Sequence, residues 1–290
     1  MWPAAISGTT AWVHNHAMPA SFSSHCRRLF AALLCASAAS AHAECSRDIV
    51  VPLSSTGVSV IVANGTYSGI YPDLFRSMGP RIGCHFAFST VPRARQELMF
   101  ETGKADLLLP ATRTHARDVH GIFVPMLGHR ATLISLHSPR SAIANAQDLL
   151  DRRDLRVAVV RGFDYGEAYQ AMLRELGRQG RLFTEVDATA VARLLQAGAV
   201  DLTIMGPTIL AGAINREARV QGMLERLRLE PIPELPWQQT GVYVSRHSLT
   251  PDDRAALLEM LERAAKSNAI IEGFQRYHRP EILAESVRPR

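Results

Sequence analysis

The 290-residue sequence predicts an α/β protein of two lobes, and three observations carry that expectation. A helix, Gly, Asp, strand plan occurs twice, as Gly103-Lys104-Ala105-Asp106-Leu107-Leu108-Leu109 and again from Gly198 through Asp201 to Met205. Apolar residues make up 47% of the chain, and its length leaves room for two cores of ordinary size. Pro231, Pro233 and Pro236 interrupt the chain before its last strand and helix, as a return across a hinge requires.

From Met18 the sequence reads as a secretory leader. Arg27 and Arg28 form its positive region, Leu29 to Ala39 its apolar region, and Ala41-His42-Ala43 a cleavage site before Glu44. Residues 1–43 are therefore expected to be removed, with the true start at Met18 and the mature protein exported. The apolar region is too short to anchor in a bilayer. Loss of the two arginines reduces the formal charge of +5 to +3, a weak and dispersed excess that gives no support to nucleic-acid binding.

Asp48 to Leu53 is expected as the first strand. The polar turn Ser54-Ser55-Thr56-Gly57 lies at its carboxyl end, where α/β sheets bind ligands, so Ser54 and Ser55 are candidate ligand contacts. Pro72 and Asp73 suit the start of the next helix, and Leu74, Phe75 and Met78 lie on one face. Tyr71 and Asp73 are read as structural. His85 to Val91 is a second strand, and Pro92 opens a helix with Leu98 and Met99 inward and Arg95 either exposed or facing the cleft.

The run Leu107 to Leu109 is a covered strand expected to stop at Pro110, which cannot extend a central ladder. Thr112, Arg113, Thr114 and Arg117 follow at its carboxyl end, two hydroxyls and two guanidinium groups. Arg offers a fork of donors that matches a carboxylate, so this set suits an anionic group. The competing reading makes Thr114 a helix N-cap and Arg117 a solvent-facing residue.

The order of parts in VPRARQELMFETGKADLLLPATRTHARD resembles the bacterial extracellular solute-binding proteins of family 3, the type II periplasmic binding proteins of polar amino acid uptake. The resemblance implies two hinge crossings and a ligand cleft between the lobes, with residues 44–137 and 238–290 as the first lobe and 138–237 as the second, and it carries that family's hydroxyl and carboxylate-clamping arginine onto Thr112 and Arg117. It also implies that the strands after Cys45 and Cys84 are parallel neighbours. In an oxidising compartment this favours a Cys45–Cys84 disulfide over two buried free thiols.

Ile122 to Pro125 and Ala131 to Leu136 are expected to leave the first lobe, with Asp148 to Asp154 as a polar connector. Leu155 to Gly162 opens the second lobe as a strand, and Asp164 and Glu167 have capping-box spacing for a helix to about Leu176. Gly162 allows close backbone approach, and free amides at a helix start favour an anion. The resemblance makes Gly162, Phe163 and Asp164 the second lobe's share of carboxylate binding, with Phe163 and Asp164 replacing that family's hydroxyl residues. Asp187 to Gly198 is a helix feeding the strand Val200 to Met205. In amino acid binders of the family the next turn holds an acidic residue for the ligand's amino group. Here Gly206 stands there, so an ammonium would need another partner, for which Asp164 is the candidate.

Gly241 to Ser245 re-enters the first lobe, with Trp237 packed at the hinge. Thr250-Pro251-Asp252-Asp253 starts a helix with Leu257, Leu258 and Leu261 inward, and residues after Tyr277 are expected to be peripheral. The sequence after the leader contains no HExxH, GxSxG, P-loop, dinucleotide fingerprint or CxxC. His115, His120, His129 and His137 lack metal-ligand spacing. No metal, cofactor or catalytic residue is therefore assigned. The resemblance implies a monomeric periplasmic receptor, not an enzyme, that captures a small polar, carboxylate-bearing, amino-acid-like solute for a membrane ABC-type permease. Two alternatives share the scaffold: a cyclohexadienyl dehydratase-like enzyme with Asp164 or Glu167 as its acid, and a sensory receptor for a kinase.

Overall fold

The computed structural model describes residues 45–290, and the leader expected at residues 1–43 lies outside the described residues. Strand β1 (Ile49–Leu53) pairs in parallel with β4 (Phe86–Thr90), Ile49 opposite Phe86. Cys45 and Cys84 lie just ahead of these strands and form a disulfide, with Cα atoms 4.9 Å apart. Between the strands come the hairpin β2 (Ile61–Ala63) and β3 (Thr66–Ser68) and helix α1 (Ile70–Met78). The Asp73 carboxylate accepts the Gly69 N–H at 3.2 Å, which places a negative group at the helix start as the dipole favours.

Helix α2 (Arg93–Glu101) leads to β5 (Leu107–Thr112), α3 (His115–His120) and β6 (Gly121–His129). The buried face of α2 is Arg93, Gln96 and Phe100, while Leu98 is exposed and Met99 only partly covered. Of the two residues expected inward, Met99 packs against the cluster of Phe100, Leu108 and Tyr243 while Leu98 does not, because Gln96 is needed inside. Its amide donates to the Pro52 and Leu109 carbonyls, both at 2.9 Å, and ties the carboxyl ends of β1 and β5 together. Pro110 does not end β5. Ala111 lies opposite Gly241 and Leu108 opposite Tyr243, so Leu109 and Pro110 together face the single residue Val242. The proline sits in a bulge, where no ladder N–H is required.

The second lobe begins with β7 (Thr132–Leu136), which pairs with two other strands of that lobe. The first crossing therefore falls at Arg130–Ala131 rather than at 137/138. Next come α4 (Ala146–Asp151), β8 (Val157–Val160), α5 (Glu167–Arg178), β9 (Leu182–Glu185), α6 (Ala188–Gln196), β10 (Leu202–Met205), α7 (Pro207–Arg216), a 3₁₀ segment (Ala218–Arg226) and β11 (Leu227–Glu230). The sheet order is β11-β7-β10-β8-β9, with β10, β8 and β9 parallel. The expected capping box at Asp164 and Glu167 does not form. Helix α5 starts one residue past Gly166, and Asp164 turns its carboxylate to the Gly166 N–H at 2.9 Å instead.

The repeated Asp has one mechanical role in both lobes. Asp106 exchanges hydrogen bonds with the Val50 backbone and pairs with Arg47 at 2.7 Å. Asp201 does the same with the Arg156 backbone and side chain, 2.7 and 3.0 Å. Each carboxylate fixes the start of a neighbouring strand.

Strand β12 (Gln238–Ser245) returns to the first lobe between β5 and β6, followed by α8 (Pro251–Lys266), α9 (Ala269–Tyr277), α10 (Pro280–Ala284) and β13 (Val287–Arg288). Thr250 caps α8 by accepting the Asp253 N–H at 3.1 Å. The residues after Tyr277 are not peripheral. β13 pairs with β6, Val287 opposite His129, and the buried Ser286 hydroxyl meets the Thr208 N–H at 3.1 Å and the Thr208 hydroxyl at 2.8 Å. A polar-looking tail thus supplies the partner of a buried helix start. Each lobe has its own apolar core, one around Val51, Phe75, Leu107 and Leu257, the other around Leu133, Val157, Met172 and Leu202.

Candidate functional site

The lobes meet along two glycine seams. A side chain on Gly57 would strike the Ile209 backbone at 2.8 Å, and one on Gly212 of α7 would strike Gly57 at the same distance. On the other side Gly162, at φ +87°, lies where a Cβ would come within 2.8 Å of the Ala94 backbone at the start of α2. Between the seams lies a cavity of about 50 Å³, the space of a few waters. A wider groove of about 440 Å³ opens outside it. Arg117, Phe163 and Asp164 line both.

The cavity walls are polar where the elements end. Thr56 and Ser59 come from the loop after β1, Tyr71 from α1, Arg93 from α2 and Thr112 from the end of β5. The second lobe contributes Phe163, Asp164, Tyr165 and Thr208, and His129 lies at the crossing. Tyr71 and Arg93 are 1% and 3% exposed, and each holds a buried polar atom with no partner, the phenol oxygen and Nε. Burial raises the Tyr71 pKa, so its hydroxyl stays protonated and able to donate. Both orphaned groups are thus donors.

Behind this wall Glu97 joins two arginines. Its carboxylate receives the Arg117 Nε and Nη2 at 3.1 and 2.7 Å and the Arg93 Nη2 at 2.5 Å. Burial alone would raise the Glu97 pKa, but the charges and hydrogen bonds of Arg93 and Arg117 outweigh it and hold the group below the ordinary carboxylate value. Arg117 also donates to the Thr112 carbonyl at 2.7 Å, and Arg93 to the Pro110 carbonyl at 2.9 Å. At the crossing the His129 ring fills the space beside Gly206 and stacks on Tyr165 with centroids 6.0 Å apart. Burial lowers its pKa to about 4, so the imidazole is neutral.

The residues singled out in the sequence divide accordingly. Thr112, Arg117, Phe163 and Asp164 converge on the cavity. Thr114 lies aside, its hydroxyl capping α3 by accepting the Arg117 N–H at 3.3 Å. Arg117 is nevertheless 4% exposed and not a solvent residue. Arg113 turns outward to Asp118, and Arg95 is exposed. Ser54 is buried, with its carbonyl accepting the Thr56 hydroxyl at 2.9 Å, and Thr56 rather than Ser54 or Ser55 reaches the cavity. Gly162 lines the outer groove, and Gly206 caps α7 against His129. Trp237 is held between the guanidinium groups of Arg130 and Arg288, 4.8 and 4.7 Å from its ring.

Sequence reasoning missed Glu97, Arg93 as a cavity residue, His129, and Tyr71, which it read as structural and which lines the cavity. The Arg93–Glu97 spacing of four was a legible helical ion pair; the third member, Arg117, depends on the fold. No group of three or more metal-binding side chains occurs among the described residues, and no helix there is long and apolar enough to cross a membrane.

No family model and no curated protein matches the chain. Solved structures share its fold over most of its length. A mutant of the arginine-binding protein of T. maritima is 16% identical, with 79% of this chain and 94% of that chain covered and a TM-score of 0.60. An ancestral amino-acid-binding protein described as a precursor of cyclohexadienyl dehydratase is 17% identical, with 80% and 96% covered and a TM-score of 0.61. A histidine kinase sensor domain with similarity to periplasmic binding proteins is 21% identical, with 82% and 95% covered and a TM-score of 0.57. At these identities the likeness is one of fold. The chain has the two-lobe α/β fold of the periplasmic binding proteins, with its polar cavity between the lobes.

Proposed function

We propose that the chain is a periplasmic solute receptor that binds a small polar, carboxylate-bearing, amino-acid-like solute between its lobes and delivers it to an ABC-type permease. One observation carries this reading: Tyr71 and Arg93 line one interlobe cavity, and each keeps a buried donor without an acceptor. Buried polar groups are nearly always paired, and these two, unlike the unpaired Tyr169 and Thr203 hydroxyls, belong to residues that line a cavity able to admit an acceptor. A carboxylate supplies two oxygens to such donors, and closure around it is favoured because both lobes touch it. Asp164, across the cavity, offers the opposite charge to a solute that also carries an ammonium.

The dehydratase alternative is less well supported. Of its two candidate acids, Glu167 does not line the cavity, and the Asp164 carboxylate already accepts the Gly166 N–H at 2.9 Å and the Gln170 amide at 3.1 Å. The sensor alternative uses the same cavity and differs only in the partner.

The test is a thermal-shift screen of refolded mature protein against amino acids, organic acids, polyamines and prephenate, with Tyr71→Phe alongside. One carboxylate solute should raise the melting temperature of the parent, and Tyr71→Phe should weaken its binding about tenfold, the loss of one buried hydrogen bond. Equal responses in parent and variant, or a response to polyamines alone, would remove the carboxylate reading. Turnover of prephenate would replace the receptor with the enzyme.

A further inference from the structure

An arginine meets a carboxylate best along the edge that carries Nε and one Nη, and on Arg117 that edge is already taken by both oxygens of Glu97. Arg93 shares the same carboxylate from the preceding turn of α2. Two guanidinium groups around one carboxylate is the arrangement a solute carboxylate would adopt, built here from the chain's own side chain. The position of Glu97 matters as well. Arg117 faces both the inner cavity and the outer groove, whereas Glu97 lines the outer groove alone. It therefore has open space of about 440 Å³ on one side into which to withdraw.

We infer that Glu97 is a specificity-determining residue, an internal carboxylate that occupies the arginine fork and is displaced only by a solute carboxylate that brings further contacts. The inference rests on the solute-receptor reading of the cavity. A bare small carboxylate competes poorly with Glu97, because Glu97 is tethered and holds two arginines at once. A larger solute whose carboxylate also reaches Tyr71 and the Arg93 Nε gains bonds that Glu97 does not make. Glu97 thus rejects abundant acetate-sized anions while admitting the proper solute. Without it, the two buried guanidinium groups lack a counter-ion and take any small carboxylate.

Acetate is the probe, titrated against chloride at matched ionic strength while the melting temperatures of parent, Glu97→Ala and Glu97→Ala/Arg117→Ala are followed. Acetate should leave the parent unchanged, raise Glu97→Ala saturably by about 5 °C or more, and lose that effect in the double variant. Should Glu97→Ala fail to fold, Glu97→Gln, which keeps one acceptor oxygen, carries the same titration. An equal acetate response in the parent, or none in either single variant, overturns the inference. The two proposals fail separately. If a solute shifts the parent through Tyr71 while acetate does nothing to the Glu97 variants, the receptor reading survives and the displaced-carboxylate inference does not. If acetate rescues the variants while no solute binds the parent, the fork is a carboxylate seat and the receptor reading falls.

Discussion

His129 is pressed between Gly206 and Tyr165, and burial lowers its pKa to about 4. His278 is lowered to about 4 as well, by burial and then by the charge of Arg216. Both rings are neutral in the folded protein, whereas the unfolded chain binds protons below about pH 6.5. Their contribution is complete above that pH and is lost as pH falls towards 4, because the unfolded state then binds more protons. Between pH 7 and pH 5 each ring should remove about 2 kcal/mol of stability. Urea unfolding at the two pH values checks this, and His129→Gln should halve the drop. None of it was legible in the sequence, where His129 is one residue between Gly128 and Arg130 at a strand end. Its burial depends on the chain crossing between lobes there, beside a glycine far along the sequence. The place of Thr112 and Arg117 on the cavity wall was legible because a strand end and its following turn are local features, while the Glu97 partnership needed two helices brought together.

Helix α7 carries the clearest test among the elements. Gly212 lies within an apolar helix for no local reason, and its contact with Gly57 explains it, since a Cβ there would come within 2.8 Å of the opposing backbone. Gly212→Val should hold the lobes apart and increase the radius of gyration in small-angle X-ray scattering. Solute affinity should fall at least about tenfold, because the binding-competent population shrinks. An unchanged scattering profile would show that the seam yields elsewhere. Elements that declare themselves through periodicity and caps were readable in advance: α6 with Asp187, α8 with Thr250, and the doubled Asp-led strands. The Pro110 bulge was not, because a bulge is defined by the partner strand and β12 lies far along the chain.

At the scale of the molecule, the residues after Tyr277 change the connectivity. Two crossings link the lobes through the backbone, at Arg130–Ala131 and before Gln238, and the tail adds a third link that is not continuous chain: β13 on β6 in one lobe, Ser286 on Thr208 in the other. Ser286→Ala leaves the Thr208 N–H and hydroxyl buried without their partner and should cost about 1–3 kcal/mol, measurable by chemical denaturation. Hydrogen exchange at the start of α7 should quicken with it. The composition of the tail concealed this role, since Arg279, Glu281, Glu285 and Arg288 read as a solvated end; Arg279 adds an exposed pair to Glu225 of the second lobe, and Ser286 carries the buried tie. The link also has an order along the chain. Every group Ser286 bonds in the second lobe lies earlier in the chain, so a released chain ending at residue 285 would keep both cores, both crossings and the exposed Arg279–Glu225 pair while the start of α7 lacks its buried partner.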